Sequence, residues 1–185
     1  MSELYEKSLL KLELDKVLEM LSACAGSVGG REACLRLRPS SDLEEVQNVV
    51  DVTFGEKGAA VVEDFAKKAA GSFGMSELSA KQFTGTMGAM LKSMNLSDSE
   101  VLEMSKALTG LAGDMASFYN LDAEEAFSKL RSGISGETEP LKQLGMNMSV
   151  ANLEAYALTQ GITKAFDKMS QGEQVLLRYQ YLMQA

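Results

Sequence analysis

The chain of 185 residues contains no histidine and no tryptophan. Without histidine there is no Ser–His or Cys–His nucleophile pair, and nearly every catalytic zinc site is excluded. Only two prolines and two cysteines occur. Cys24 and Cys34 flank a glycine-rich turn, and a lone pair cannot build a disulfide framework. A two-cysteine zinc site would need partners that the sequence does not supply, so both read as reduced, semi-buried thiols of a cytoplasmic protein. Basic residues are outnumbered, 18 Lys and Arg against 26 Asp and Glu, for a net charge of −8. Such a chain lacks the basic footprint that drives most nucleic-acid binding, and no nucleic-acid partner is expected. No apolar run reaches 18 residues, so no membrane-spanning helix is expected. The polar start, Met1-Ser2-Glu3-Leu4-Tyr5-Glu6-Lys7, is not a secretory signal. Phosphate-cradle, dinucleotide and nucleophile-elbow patterns are missing too. Together these absences argue against an enzyme, and neither a cofactor nor a metal ligand set is expected.

What is present is helical. Twelve methionines, against seven Phe and five Tyr, suit helices with adaptable packing. Leu10, Leu14, Val17, Leu18 and Leu21 form one apolar stripe of a first helix, which Gly26, Gly29 and Gly30 should end. A short second helix is expected from Arg31 to Arg38, stopping before Pro39. Capping-box pairs, a hydroxyl with a carboxylate three residues on, occur at Ser41/Glu44, Ser97/Glu100 and Ser170/Glu173, with Asp122/Glu125 a close variant. They predict helix starts near 41, 97, 122 and 170. Further helices are expected over about 76–94 and 149–159. Val49, Val50, Val52 and Thr53 have no second strand to pair with and read as helix or extended linker. The fold class that follows is all-α, eight to ten short helices with Gly and Asn turns and little or no β.

Glycines recur in G-x-x-G pairs: Gly55/Gly58, Gly71/Gly74, Gly85/Gly88, Gly110/Gly113 and Gly133/Gly136. A nucleic-acid clamp of this form needs basic neighbours and a sheet, and neither is visible. The stronger reading is glycines that end helices or let two helices approach closely. Val101, Met104, Leu108, Leu111, Met115 and Phe118 step by alternating threes and fours. They form a short a/d seam that either belongs to an amphipathic helix of the domain core or meets a partner helix. The acidic groups Glu63/Asp64, Glu124/Glu125 and Glu137/Glu139 read as solvated helix starts.

Character changes near residue 50. Residues 1–53 carry 6 basic and 10 acidic groups, whereas residues 54–185 carry 12 and 16 in a stretch more than twice as long. Eleven of the twelve Phe and Tyr lie beyond Thr53. Two sequences of different kind are joined, and two regions follow, 1–46 and 47–185.

Several blocks of the second region resemble the N-terminal core of tail tape measure proteins of long-tailed phages. They are Val46-Gln47-Asn48-Val49-Val50-Asp51-Val52-Thr53-Phe54-Gly55, Ala80-Lys81-Gln82-Phe83-Thr84-Gly85-Thr86-Met87-Gly88, Met115-Ala116-Ser117-Phe118-Tyr119-Asn120, Arg131-Ser132-Gly133-Ile134-Ser135-Gly136-Glu137 and Glu139-Pro140-Leu141-Lys142-Gln143-Leu144-Gly145. Asn147-Met148-Ser149-Val150 and Leu176-Leu177-Arg178-Tyr179 continue the likeness, which covers about residues 42–185. The resemblance implies a virion structural protein that spans the tail lumen and sets tail length. It implies self-association, tail-tube and tail-chaperone partners, and no catalytic residue in this segment. The implied location is the virion tail, and the bacterial host cytoplasm during assembly.

Residues 1–46 are similar instead to the N-terminus of bacterial MutS paralogues that suppress recombination. Leu12-Glu13-Leu14-Asp15-Lys16-Val17-Leu18-Glu19-Met20-Leu21 and Leu37-Arg38-Pro39-Ser40-Ser41-Asp42-Leu43-Glu44-Glu45-Val46 carry that likeness. In that family the segment is a helical structural piece, and the ATPase and nuclease parts lie elsewhere. The alternative function is therefore a helical fragment of a MutS-like DNA-associated protein. Residues 41–46 fit either family, which suggests a recombined or artificial junction. The chain reads as truncated relative to both, and its first 40 residues read as an appendage.

Overall fold

The computed structural model describes residues 28–184, with side chains from residue 42 onward. The stripe Leu10, Leu14, Val17, Leu18 and Leu21, with Cys24 and Gly26, lies outside the described residues, as does the Cys34 side chain. The chain divides into two compact units, Met1–Glu45 and Val46–Ala185. Among the described residues the structure is all-α. There are seven α-helices and one 3-10 turn, and no strand is present: α1 (Val28–Phe73), α2 (Glu77–Lys92), α3 (Asp98–Tyr119), α4 (Ala123–Ser135), α5 (Glu139–Lys142), the 3-10 turn (Phe166–Lys168) between α6 (Val150–Thr159) and α7 (Gln171–Gln184).

Helix starts follow local chemistry. Ser97 caps α3 reciprocally: its Oγ accepts from the Glu100 amide at 3.3 Å while the Ser97 amide donates to Glu100 Oε2 at 2.9 Å. Ser170 and Glu173 repeat the arrangement at the start of α7, at 3.3 and 2.6 Å. Ser76 and Ser149 cap α2 and α6 with single bonds. These pairings satisfy amides that have no partner within the first turn of a helix. Helix α4 begins where Asp122 predicts, but the Asp122 side chain makes no capping bond. Its first turn has Glu124 and Glu125 to favour the positive end of the helix dipole instead.

The N-terminal expectations need correction. Helix α1 is continuous through Pro39 and Ser41, so there is neither a stop nor a fresh start there, and Gly29 and Gly30 lie in its first turn. The φ of proline is compatible with helical backbone, so the helix can pass Pro39 at the cost of one intrahelical hydrogen bond, and a hydroxyl caps only where amides lack carbonyl partners. Residues 49–53 are helical, in agreement with the lack of a pairing strand. The interruption in α1 comes later, at Gly55, where φ is 67° and ψ 176°.

The second unit has a single main core. The most extensive pairing is α2 with α3, followed by α3 with α4. Small residues make the first pairing close. Thr84 on α2 donates to Thr109 on α3 across 3.2 Å, and both are fully buried. Thr109 also donates to the Ser105 carbonyl at 2.8 Å, and Ser105 to the Val101 carbonyl at 2.6 Å. Each buried hydroxyl thus finds an acceptor, which avoids a desolvation cost of about 1–3 kcal/mol per group. Phe83 and Phe127 stack at 4.3 Å with rings 3° apart, tying α2 to α4. Helix α4 then meets α5 and α7.

Acid should loosen this unit in a defined window. The Lys164 ammonium, with the Ser170 amide and hydroxyl, holds the Glu173 carboxyl at about 2. Lys81 and Lys67 likewise keep Glu63 below the usual carboxylate range. Groups with lowered values contribute stability that is complete above the ordinary carboxylate pKa and lost as pH falls toward the lowered one. The thermal midpoint is therefore expected to fall between pH 5 and pH 2, roughly the span of these values. Glu173→Gln should flatten that part of the curve in thermal melts recorded by circular dichroism.

Candidate interaction surface

Helix α3 carries the predicted a/d seam, and the structure divides its six residues. Val101, Met104, Leu108 and Met115 are buried in the main core. Leu111 is only partly buried, and Phe118 is 81% exposed. A straight α-helix turns about 20° per heptad away from a strict seven-residue repeat. Over two heptads that drift accompanies the passage of the series Met104, Leu111, Phe118 from the core to the surface. The seam is an intramolecular packing face at one end and a surface feature at the other.

Two adjoining grooves follow this surface edge of α3, and Leu111 and Asp114 line both. The first, about 550 Å³, lies between α1, α3 and the end of α7, with Val61, Phe65 and Met183 as apolar walls. The second, about 580 Å³, is bounded by Phe118, Tyr119, Met146 and Leu182. Ion pairs border the first groove: Lys68 with Asp64 at 2.6 Å, and Lys106 with Glu103 at 2.8 Å. Exposed pairs of this kind contribute only about 0–1 kcal/mol, so the apolar walls dominate what the groove can bind. Tyr119 is held in place, its hydroxyl donating to the Leu144 carbonyl at 2.8 Å. Phe118 rests edge-on against it, with ring centroids 4.8 Å apart. Such a surface suits contact with apolar side chains of another element.

Glu63 and Asp64 lie in the middle of α1 and not at a helix start, and both pair with lysines, Asp64 with Lys68. Glu63 bridges Lys67 at 3.1 Å and the buried Lys81, which also pairs with Glu77 at 3.0 Å. Burial opposes the charge on Lys81, but the Glu63 and Glu77 carboxylates outweigh it and keep its pKa above the usual lysine value. Glu125 pairs with Lys129, and Glu139 with Lys142. Glu137 lies in the turn that leads into α5, and Glu139 opens that helix. No group of three or more candidate metal ligands occurs among the described residues.

One buried cation has no carboxylate partner. Arg178 on α7 donates from Nη1 to the Ile134 carbonyl at 3.3 Å, and its guanidinium lies 5.2 Å over the Phe166 ring. Burial lowers its pKa. It sits where α4 ends in Gly136 at φ 117°, so the cation meets the negative end of a helix dipole. That placement gives Arg178 a helix-capping task.

The groove walls Val61 and Phe65 were not marked by sequence reasoning. Val61 and Phe65 are spaced i, i+4, which marks a helix face but not whether that face is covered. No family model, no curated protein and no solved structure matches the chain.

The buried and exposed parts of the seam should respond to truncation to very different extents. Leu108→Ala is expected to cost about 2–5 kcal/mol, as for other fully buried leucines. Phe118→Ser should change stability by no more than about 0.5 kcal/mol. Urea unfolding of the two variants distinguishes the buried from the exposed part of the series.

Proposed function

We propose that this chain is a structural component of a phage tail, a piece of a tape measure protein that acts in tail assembly and tail-length determination. It works through protein–protein contact and has no catalytic role. The observation that supports this reading most is the sequence resemblance over about residues 42–185. The blocks that carry it are also those with structural tasks. Residues 46–55 run to the break in α1, and residues 80–88 form the α2 face beneath it. Residues 115–120 close α3 at Asn120, which has a left-handed backbone. Residues 131–137 close α4 at Gly136 in the same way. Residues 139–145 form α5 and the turn after it.

The exposed apolar edge of α3 supplies a contact surface of the kind that assembly needs, with self-association, tail-tube subunits and tail chaperones as partners. In this reading the protein resides in the virion tail, and in the bacterial host cytoplasm while tails are built. No helix of the described residues is long and apolar enough to cross a membrane.

The reading is tested by mass spectrometry of purified phage particles from the producing strain. Peptides from residues 46–185 should co-purify with intact tails, and their absence from tails would contradict the proposal. A gel-shift titration with duplex DNA provides the other arm. No binding is expected at physiological salt, whereas tight binding that weakens steeply with added salt would favour a MutS-like DNA-associated fragment.

A further inference from the structure

Residues 46–54 of α1 form a strap that is held by contacts of its own. Val50 packs with Ala59 and Val62 from beyond the break, and with Leu102, in a small apolar cluster separate from the main core. The Phe54 ring occupies the space that a side chain on Gly88 would fill. Val49 Cγ1 lies 3.2 Å from where a Cβ on Gly85 would be. Lys92 Nζ on α2 donates to the Thr53 carbonyl at 2.8 Å, satisfying an acceptor at the end of the strap. Thus α2 presents a groove floored by Gly85 and Gly88, and the strap is its fitted occupant.

The strap joins the rest of α1 through one residue. Gly55 holds φ 67° and ψ 176°, a backbone region closed to L side chains. Nothing lies within 4 Å of a Cβ added there, so a side chain at this position is excluded by the backbone conformation and not by a neighbouring atom. Helical dihedrals at this single position would rejoin the two halves of α1 into one straight helix. The strap, about 14 Å long at helical rise, would then leave the groove on its own α2.

We propose that two copies of this chain exchange residues 46–54, with Gly55 as the hinge. The groove accepts the strap of a second copy because every contact named above is reproduced between copies with identical residues. The closed monomer and the exchanged dimer differ only at the hinge and in the effective concentration of the strap. Concentration and the Gly55 backbone therefore set the balance. This inference uses only contacts within residues 46–102 and stands or falls independently of the tail assignment.

A disulfide trap reads the exchange directly. Val49 Cβ lies 3.9 Å from the Cβ position at Gly85, a separation suited to a disulfide. Val49→Cys with Gly85→Cys is made in the full chain with Cys24→Ser and Cys34→Ser, with and without Gly55→Ala. The oxidised proteins are run on non-reducing gels after size exclusion. With Gly55 retained, an internally bridged monomer is expected at low protein concentration. With Gly55→Ala, which cannot hold the break, a covalent dimer bridged between positions 49 and 85 of different copies should exceed monomer at least tenfold. A monomer in the Gly55→Ala background, bridged or not, would overturn the proposal, as would a dimer lacking the 49–85 bridge. Should Gly55→Ala fail to fold, the Gly55-retaining protein is refolded and oxidised over a range of concentrations. The covalent dimer should rise with concentration, and monomer throughout would overturn the exchange.

Discussion

A large side chain of one helix resting on a glycine of another is the contact on which the packing of the second unit depends. The Phe73 ring lies 3.0 Å from the Cβ position of Gly110, and its own Cβ is 2.7 Å from that of Gly113. Phe54 covers Gly88 in the same manner, and Leu141 with Met148 covers Gly133. A glycine inside a helix costs up to about 1 kcal/mol relative to alanine. Burying an aromatic or leucine side chain returns about 1.5–3 kcal/mol. The glycines are therefore net contributors only while the neighbouring residue stays seated, and this couples α1 to α2 and α3, and α5 to α4. The buried hydroxyls of Thr84, Ser105 and Thr109 serve the same close approach by a different route, since each is small and each finds an acceptor nearby.

Much of this was legible in the sequence wherever the signal was local. The reciprocal caps at Ser97 and Ser170 depend on residues three apart, and both form as their spacing predicts. The G-x-x-G pairs were readable as close-approach or helix-ending sites, and Gly110, Gly113 and Gly136 take those parts. Other features depend on partners distant in the chain. Ser41 has the chemistry of a cap, yet α1 already passes through it. The outward drift of Leu111 and Phe118 follows from helix geometry that a strict heptad count ignores. The interruption at Gly55 is fixed by Phe54 meeting Gly88 and Lys92 meeting Thr53, contacts made across more than thirty residues. The grooves beside α3 were illegible for the same reason, because Val61, Leu111 and Met183 converge only in the folded chain.

The second unit turns apolar shape outward and keeps much of its charge in local pairs. Its charged side chains are spent largely on lysine–carboxylate pairs along helix surfaces, and the buried Ser105, Thr109 and Arg178 donate to backbone carbonyls. What it offers outward is shape and apolar area, at Phe118 on α3 and at Val49 and Val52 on the strap. Those features suit recognition by helices, including helices of the same protein.

The claim that seated glycines govern stability is tested most directly by comparing two alanine substitutions in thermal and urea unfolding. Gly71 is exposed on α1, and a Cβ there meets nothing within 4 Å. A Cβ at Gly113 meets Phe73 Cβ at 2.7 Å and the Phe73 carbonyl oxygen at 2.9 Å. Gly71→Ala should stabilise the fold by about 0.5–1 kcal/mol through helix propensity alone. Gly113→Ala should destabilise it by about 1–3 kcal/mol, because backbone and ring must move apart. Opposite signs are the predicted result, and stabilisation by both substitutions would contradict the account.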